Sequence, residues 1–223
     1  RQDRIITAVS LTNDYEALMQ QPWVHSGMRL KLQQINEMLQ RLPDDTSVSI
    51  TSAAHLTREL FTYRGAGTLV RKGEAINVFD KPDEETLKKV RDLVEHSFNR
   101  TLRDDWFDNL DEPLVLLSET GRAAAVMTRG VDGLPYLDKF IVTSAAQGEG
   151  LGAAIWQVFR ARYPALYWRS RNTNPVTPWY FLQADSSNRS GQWVVFTIGV
   201  EPATRRAQCV EDALARDSGW VAQ

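Results

Sequence analysis

YLDKFIVTSAAQGEGLGAAIWQVFRARY, residues 136–163, is the stretch whose reading decides the fold. Its opening continues GLPYLDKFIVT (133–143), an apolar, β-branched run that reads as a strand. Its close, GLGAAIWQVFRARY (150–163), turns Ile155, Trp156 and Phe159 inward at helical spacing. Between them QGEGLG (147–152) places glycines at 148, 150 and 152. Glycines there let backbone N–H groups turn toward one point, and the following helix start adds partial positive charge, which suits a pyrophosphate. A tight turn without a ligand is the competing reading. A dinucleotide fold asks for G-x-G-x-x-G and an acid about 20 residues on. Here the spacing is G-x-G-x-G, and the residues at that distance are Arg169 and Arg171, with no acid before Asp185. A Walker loop fails because no Gly-Lys-Ser/Thr is present.

Outward from this junction, strands and helices alternate. DEETLKKVRDLVEHSF (83–98) is an amphipathic helix with acids in its first turn. LRDDWFDNL (102–110) reads as a short helix. PLVLLSE (113–119) and AAAVMTR (123–129) flank Thr120-Gly121 as a hairpin. ALYWRSR (165–171) and QWVVFTIGV (192–200) read as strands, VTPWYFLQA (176–184) as a short helix and CVEDALARD (209–217) as a terminal helix. Upstream, residues 5–11, 47–50, 68–72 and 76–80 read as strands, and 53–63 as a helix. A helix over 26–42 has Leu30, Ile35, Leu39 and Leu42 on its apolar face. The pattern is α/β with a mixed sheet.

The bulk numbers narrow the function. The 223 residues are 43% hydrophobic and 24% charged, with a net charge of −2. No basic face favours nucleic acid, and no apolar run reaches the roughly 20 residues of a membrane span. One cysteine, Cys209, excludes an internal disulfide and fits a reducing, cytoplasmic setting. No Cys/His/acid cluster has metal-ligand spacing, so no metal is expected. The chain opens on Arg1, directly into an apolar strand, which suggests a piece of a longer protein.

WRSRNTNPVTPWYF (168–181) carries the remaining chemistry. Residues two apart on a strand share a face, so Arg169 and Arg171 point the same way. Two guanidinium forks suit an anion with more than one carboxylate. Lys139 interrupts an apolar strand and needs a partner. Structural acids, Asp138 or Asp105, are the alternative partners for Lys139 and Arg169.

QGEGLG after a central strand resembles the GNAT acetyltransferase superfamily, whose Gln/Arg-x-x-Gly-x-Gly/Ala signature is met by Gln147, Gly150 and Gly152. The resemblance implies acetyl-CoA. Its pyrophosphate would lie on the N–H groups of Gln147, Gly148, Glu149, Gly150, Leu151 and Gly152, and its thioester beside the preceding strand. YLDKF, QGEGLG and WRSRNTNPVTPWYF together resemble the acetyltransferase domain of vertebrate-like N-acetylglutamate synthases, including bacterial bifunctional synthase/kinases. That resemblance implies L-glutamate as acceptor in arginine biosynthesis. Lys139, Arg169 and Arg171 would hold its carboxylates, and Arg100 in SFNRTLRDD would add a basic contact. Asn174 and Tyr180 would line the reacting centre. Backbone N–H groups near Ile141 and Val142 would hold the oxyanion, and Tyr180 would protonate the thiolate; WYF at helical spacing is equally open to core packing. Attack would be direct, without a Cys209 intermediate.

SGMRLKL, SVSIT and ELFTYRGAGTLV resemble the last third of the amino-acid kinase fold, with Ser26 where that family writes glycine. The division expected is 1–73 kinase fragment and 74–223 acetyltransferase. Lys31, Glu59 and Gly65 match an allosteric L-arginine site, although an exposed helix charge would also explain Glu59. The phosphate-gripping half is absent, so no kinase activity is expected, and the cut surface points to a homo-oligomer. A GNAT enzyme with another amine acceptor, or a non-catalytic CoA- or arginine-sensing module, would share many of these features.

Overall fold

A computed structural model of the chain describes residues 6, 8–43, 46–61 and 67–221. They belong to two compact units, Arg1–Ile76 with Ala146–Ala154, and Asn77–Ala145 with Ile155–Gln223.

The first unit runs β1 (Ala8–Ser10), α1 (Leu11–Met19), α2 (Ser26–Leu39), β2 (Ser47–Ile50), α3 (Leu56–Phe61) and β3 (Thr68–Arg71). β3 is central, parallel to β1 and antiparallel to β2. Val9, Leu11, Ile35, Leu39 and Val70 form its core. The inward stripe of α2 is Leu32, Ile35 and Leu39. Leu30 and Leu42 are exposed, contrary to expectation; Leu30 lies two positions, about 200° of helical rotation, from Leu32. α1 begins where the first strand was expected to continue. There the Asp14 carboxylate accepts from the Ser10 backbone N–H at 2.8 Å and favours a helix start.

The second unit holds most of a seven-stranded sheet. Its elements are β4 (Ile76–Phe79), α4 (Glu84–Phe98), β5 (Leu114–Ser118), β6 (Ala123–Arg129), β7 (Pro135–Val142), α5 (Leu151–Arg162), β8 (Leu166–Arg171), α6 (Thr177–Gln183), β9 (Ser186–Ser190), β10 (Trp193–Ile198) and α7 (Ala203–Ala215). The strand order is β4-β5-β6-β7-β8-β10-β9. β7 and β8 are parallel, as a crossover through α5 demands. One apolar cluster joins α4 to β5, β6 and Ile141; another joins Tyr136, Tyr167 and Val195 to Cys209 and Ala213 of α7.

Three differences from the sequence reading have local causes. Residues 104–109 are turns rather than a helix, because neighbouring backbone groups are used elsewhere. Arg91 donates to the carbonyls of Leu102 and Arg103 at 2.9 and 2.6 Å. β9 is exposed at all five residues of SSNRS and has no hydrophobic alternation to reveal it. α7 starts at Ala203, not 209, since ATRRAQ is helical without an apolar stripe.

Two irregularities shape the centre of the sheet. β6 and β7 slip register between Val126 and Met127: Val126 faces Lys139 and Met127 faces Leu137, leaving Asp138 as a bulge. β7 pairs with β8 only at Tyr136–Tyr167 and Leu137–Trp168, whereas β8 pairs with β10 along its whole length. Beyond those pairs the two parallel strands part.

Candidate functional site

The parted strands border a cleft of about 430 Å³, closed by residues after α4, after β8, on α6 and β10, and after α7. Lys139, Arg169, Arg171, Arg100, Asn174 and Tyr180 all line it. Six residues spread over 80 positions of sequence therefore meet at one place. Ile141 and Val142 lie on the stretch of β7 without a β8 partner but do not line the cleft; Phe140 does.

Lys139 is buried, at 7% exposure, with a counter-ion of its own. Its Nζ lies 2.6 Å from Asp138 Oδ2 and donates to the Ser218 carbonyl at 3.1 Å. Adjacent side chains on a regular strand point to opposite faces, and the bulge at Asp138 is what lets these two meet. Trp106 Nε1 donates to the same carboxylate oxygen at 3.1 Å. The ammonium also lies 4.9 Å from the Trp106 ring centre and 5.5 Å from that of Trp220. The structural partner considered for Lys139 is thus present.

Arg169 and Arg171 share a face, and both lie over Trp193. Trp193 is directly opposite Arg171 in the antiparallel register. Arg169 Nη1 donates to the carbonyls of Ala213 and Leu214 at 2.7 and 3.3 Å, and Nη2 to that of Arg216 at 2.6 Å. It thereby satisfies carbonyls at the end of α7 that the helix leaves free. Arg216 is itself held by the Asp212 carboxylate at 2.6 Å. Arg171 has no acid or carbonyl partner among the described residues; its contact is the Trp193 ring.

Arg100 follows α4, which ends at Asn99 in the left-handed region, φ 49°. Asparagine tolerates that conformation. The Arg100 guanidinium lies 4.9 Å from the Trp220 ring centre, and its buried Nε has no hydrogen-bond partner. Arg100 and Arg171 are therefore two guanidinium groups in one cleft, each set on an indole and neither neutralised by an acid among the described residues.

Asn174 fixes the loop after β8. Its Nδ2 donates to Ser170 Oγ at 3.0 Å, and its Oδ1 accepts from Val176 N at 3.1 Å. This is an Asx turn that sets the entry to α6. Tyr180, on α6, is 5% exposed. Its ring packs 5.4 Å from Trp168 and 5.6 Å from Phe196. Burial pushes its hydroxyl well above the ordinary tyrosine value. Tyr180 is thus packed in the core and also lines the cleft.

The glycine loop has the local geometry its sequence asks for. Gly148 and Gly150 both have φ +86°, which side chains rarely adopt, and no atom lies within 4 Å of where a Cβ would stand on either. Glu149 N donates to the Ala146 carbonyl at 3.2 Å, and Leu151 opens α5. Open space beside left-handed glycines at a helix start fits the pyrophosphate of a CoA ester. Gln147, Gly148, Glu149, Gly150, Leu151 and Gly152 all belong to the segment counted with the first unit.

In that unit Lys31 is an exposed residue of α2. Glu59 is more than an exposed charge: its carboxylate accepts from Gly67 N at 2.8 Å and from Ser49 Oγ. Gly65 lies outside the described residues. Ser26 has φ +46°, the left-handed region, which gives a physical reason for glycine at the matching family position. Cys209 is fully buried and its thiol is pushed up to about 11 by burial, so little thiolate forms at neutral pH. None of His25, His55 and His96 lines the cleft.

Trp193, Trp220 and Tyr136 line the cleft without having been singled out from sequence. Trp193 alone had a legible signal. It opens the strand that follows WRSR, and an indole opposite a strand arginine is a common partner for it.

A protein-family profile described as "NAT, N-acetyltransferase, of N-acetylglutamate synthase" matches residues 74–216. Acetylglutamate kinase of Xanthomonas campestris pv. campestris is 43% identical, over 96% of this chain and 51% of its own length. Mitochondrial N-acetylglutamate synthase is 36% identical in Danio rerio, over 94% of this chain and 41% of that one. The Homo sapiens protein is 38% identical, over 88% and 38% respectively. The chain spans about half the length, or less, of these curated relatives. The mixed sheet, with its parting central pair, is an α/β architecture.

Proposed function

This chain belongs to the N-acetyltransferase family of N-acetylglutamate synthase, and from that premise we propose that it transfers the acetyl group of acetyl-CoA to the α-amine of L-glutamate. The observation that carries the acceptor is the pair Arg100 and Arg171. Two guanidinium groups in one cleft, without acid partners among the described residues, suit two carboxylates on one small molecule. An acceptor with a single carboxylate would leave one of them uncompensated. Acetyl-CoA supplies the activated acyl carbon when bound, and Gln147–Gly152 are the residues that would hold its pyrophosphate.

The chain's own groups divide the work. Arg100 and Arg171 bind and orient the acceptor, so that its amine is presented rather than left to diffuse. Lys139, already paired with Asp138, adds little net charge but keeps the Asp138 carboxylate from repelling the acceptor. Tyr180, which lines the cleft, is the group that would return a proton to the departing thiolate. Asn174 keeps the loop between Arg171 and Tyr180 in one conformation. Backbone groups of β7 beyond Leu137, released from pairing with β8, are donors at the strand edge.

The same reading divides the chain into residues 1–73, part of an amino-acid kinase fold, and 74–223, the acetyltransferase, with L-arginine as an effector of the first. Thiol release from acetyl-CoA, measured over a panel of amino acids with and without L-arginine, tests it. Release stimulated by L-glutamate, with N-acetyl-L-glutamate as the product by mass spectrometry, is expected. Acetyl-CoA binding without turnover on any amine would overturn the acetyltransferase reading in favour of a sensor.

A further inference from the structure

After α7 the chain doubles back along the segment that follows α4. Val221 N donates to the Thr101 carbonyl at 2.9 Å, Arg103 N donates to the Gly219 carbonyl at 2.9 Å, and Leu102 and Trp220 form an antiparallel bridge. Arg103 and Asp217 form an ion pair at the base of this strap. Gly219 has φ +76°, and a Cβ there would come within 2.4 Å of Trp106 Cδ1, so glycine alone lets the strap close. The backbone thus fixes Trp220, whose ring packs 5.3 Å from that of Phe98.

Trp220 is the surface on which the cations of this end of the cleft are set. The Arg100 guanidinium lies 4.9 Å and the Lys139 ammonium 5.5 Å from its ring centre. Ser218, in the same strap, accepts from Lys139. A guanidinium laid on an indole keeps its hydrogen-bonding edge free, because the donors lie in its plane. Among the described residues Arg100 has no acid partner to fix that edge, and its buried Nε has no hydrogen-bond partner. The indole is what sets its position and, with it, the distance at which a carboxylate is gripped.

We propose that Trp220 is a specificity-determining positioning residue. Held by the strap Asp217–Val221, it sets Arg100 at one depth in the cleft and so selects the length of the dicarboxylic amino acid accepted. This inference rests on the acceptor reading above. Loss of the indole frees Arg100 to shift outward and admits an acceptor with one more methylene.

The test is kcat/KM for L-glutamate and for L-2-aminoadipate in the wild-type 223-residue chain and in Trp220→Leu, Trp220→Ala and Trp220→Phe, with the acetyl-CoA KM and the melting temperature alongside. Trp220→Leu retains apolar packing on Phe98 without a π face, so it reports even if the alanine variant fails to fold. The wild type should prefer glutamate by at least about tenfold, the usual worth of one methylene in a fitted site. In Trp220→Leu that ratio should fall to about twofold or less. The change should come through the glutamate KM with the acetyl-CoA KM constant, and Trp220→Phe should restore most of it. Glutamate and aminoadipate rates that fall together, with their ratio unchanged, would make Trp220 merely structural and overturn the inference alone. A wild-type chain that acetylates no dicarboxylic amino acid would overturn the acceptor reading and this inference with it.

Discussion

Arg169 and Arg171 stand over the same indole, that of Trp193, at 4.4 and 5.5 Å from its ring centre, yet they are held quite differently. Arg169 bonds three carbonyls at the end of α7, and Arg171 bonds none among the described residues. Arg169→Leu should therefore lower the melting temperature. Hydrogen bonds to a charged group are worth about 1.5–3 kcal/mol, and the α7 carbonyls would be left without their donor. Arg171→Leu should leave the melting temperature unchanged and reduce kcat/KM for glutamate by about one to two orders of magnitude. Thermal melts and steady-state kinetics on the two variants check the contrast.

Trp193 holds two like charges on one face of the sheet, where they would otherwise repel. Trp193→Ala should raise the acceptor KM by about three- to tenfold, the worth of a partly desolvated cation–π contact. Trp193→Phe should recover part of that loss. The acetyl-CoA KM should not move in either variant.

Tyr180 gives a pH prediction with a definite sign. Its hydroxyl is raised above the ordinary value of 10.0 by burial. In the unfolded chain it ionises near 10, whereas in the folded chain it stays protonated to higher pH. The stability from this linkage is complete below 10 and is lost as pH rises above it. Alkaline unfolding curves should show a drop above pH 10 that is shallower in Tyr180→Phe. The same variant should lower kcat by about 10²–10⁴-fold at neutral pH, the usual worth of a positioned proton donor.

Gly148 and Gly150 combine φ +86° with open space where a side chain would project. Valine at 150 would strain the backbone by about 1–2 kcal/mol and fill that space. Gly150→Val should weaken acetyl-CoA binding by at least about tenfold, as measured by calorimetry. The dissociation constant for L-glutamate should stay within a factor of two.

Much of the seven-stranded sheet and its helices was legible because the buried elements have strong periods. The strand at 135–142, the helix at 151–162 and the hairpin at 114–129 each show them. The cleft residues were found through short motifs rather than periodicity, and they do converge. Their partners were not legible. Arg169 on the end of α7 is a contact 44 to 47 residues apart, and nothing local marks it. Asp138 beside Lys139 was named as a partner, but the bulge that makes the pair is a register slip against β6. Trp220 sits in DSGWVAQ, a stretch with no pattern at all, and takes its place only through backbone bonds to 101–103. β9 and the start of α7 escaped because exposed polar elements leave no apolar trace.

The most direct measurement is the ratio of kcat/KM for L-glutamate to that for L-glutamine with acetyl-CoA as donor. Glutamine keeps the amine and the α-carboxylate and removes only the distal charge. Two unneutralised guanidinium groups, Arg100 and Arg171, predict a preference for glutamate of about 100-fold or more, since a site built for a second carboxylate is left uncompensated without it. Comparable turnover of the two amino acids would contradict the two-carboxylate reading of the cleft.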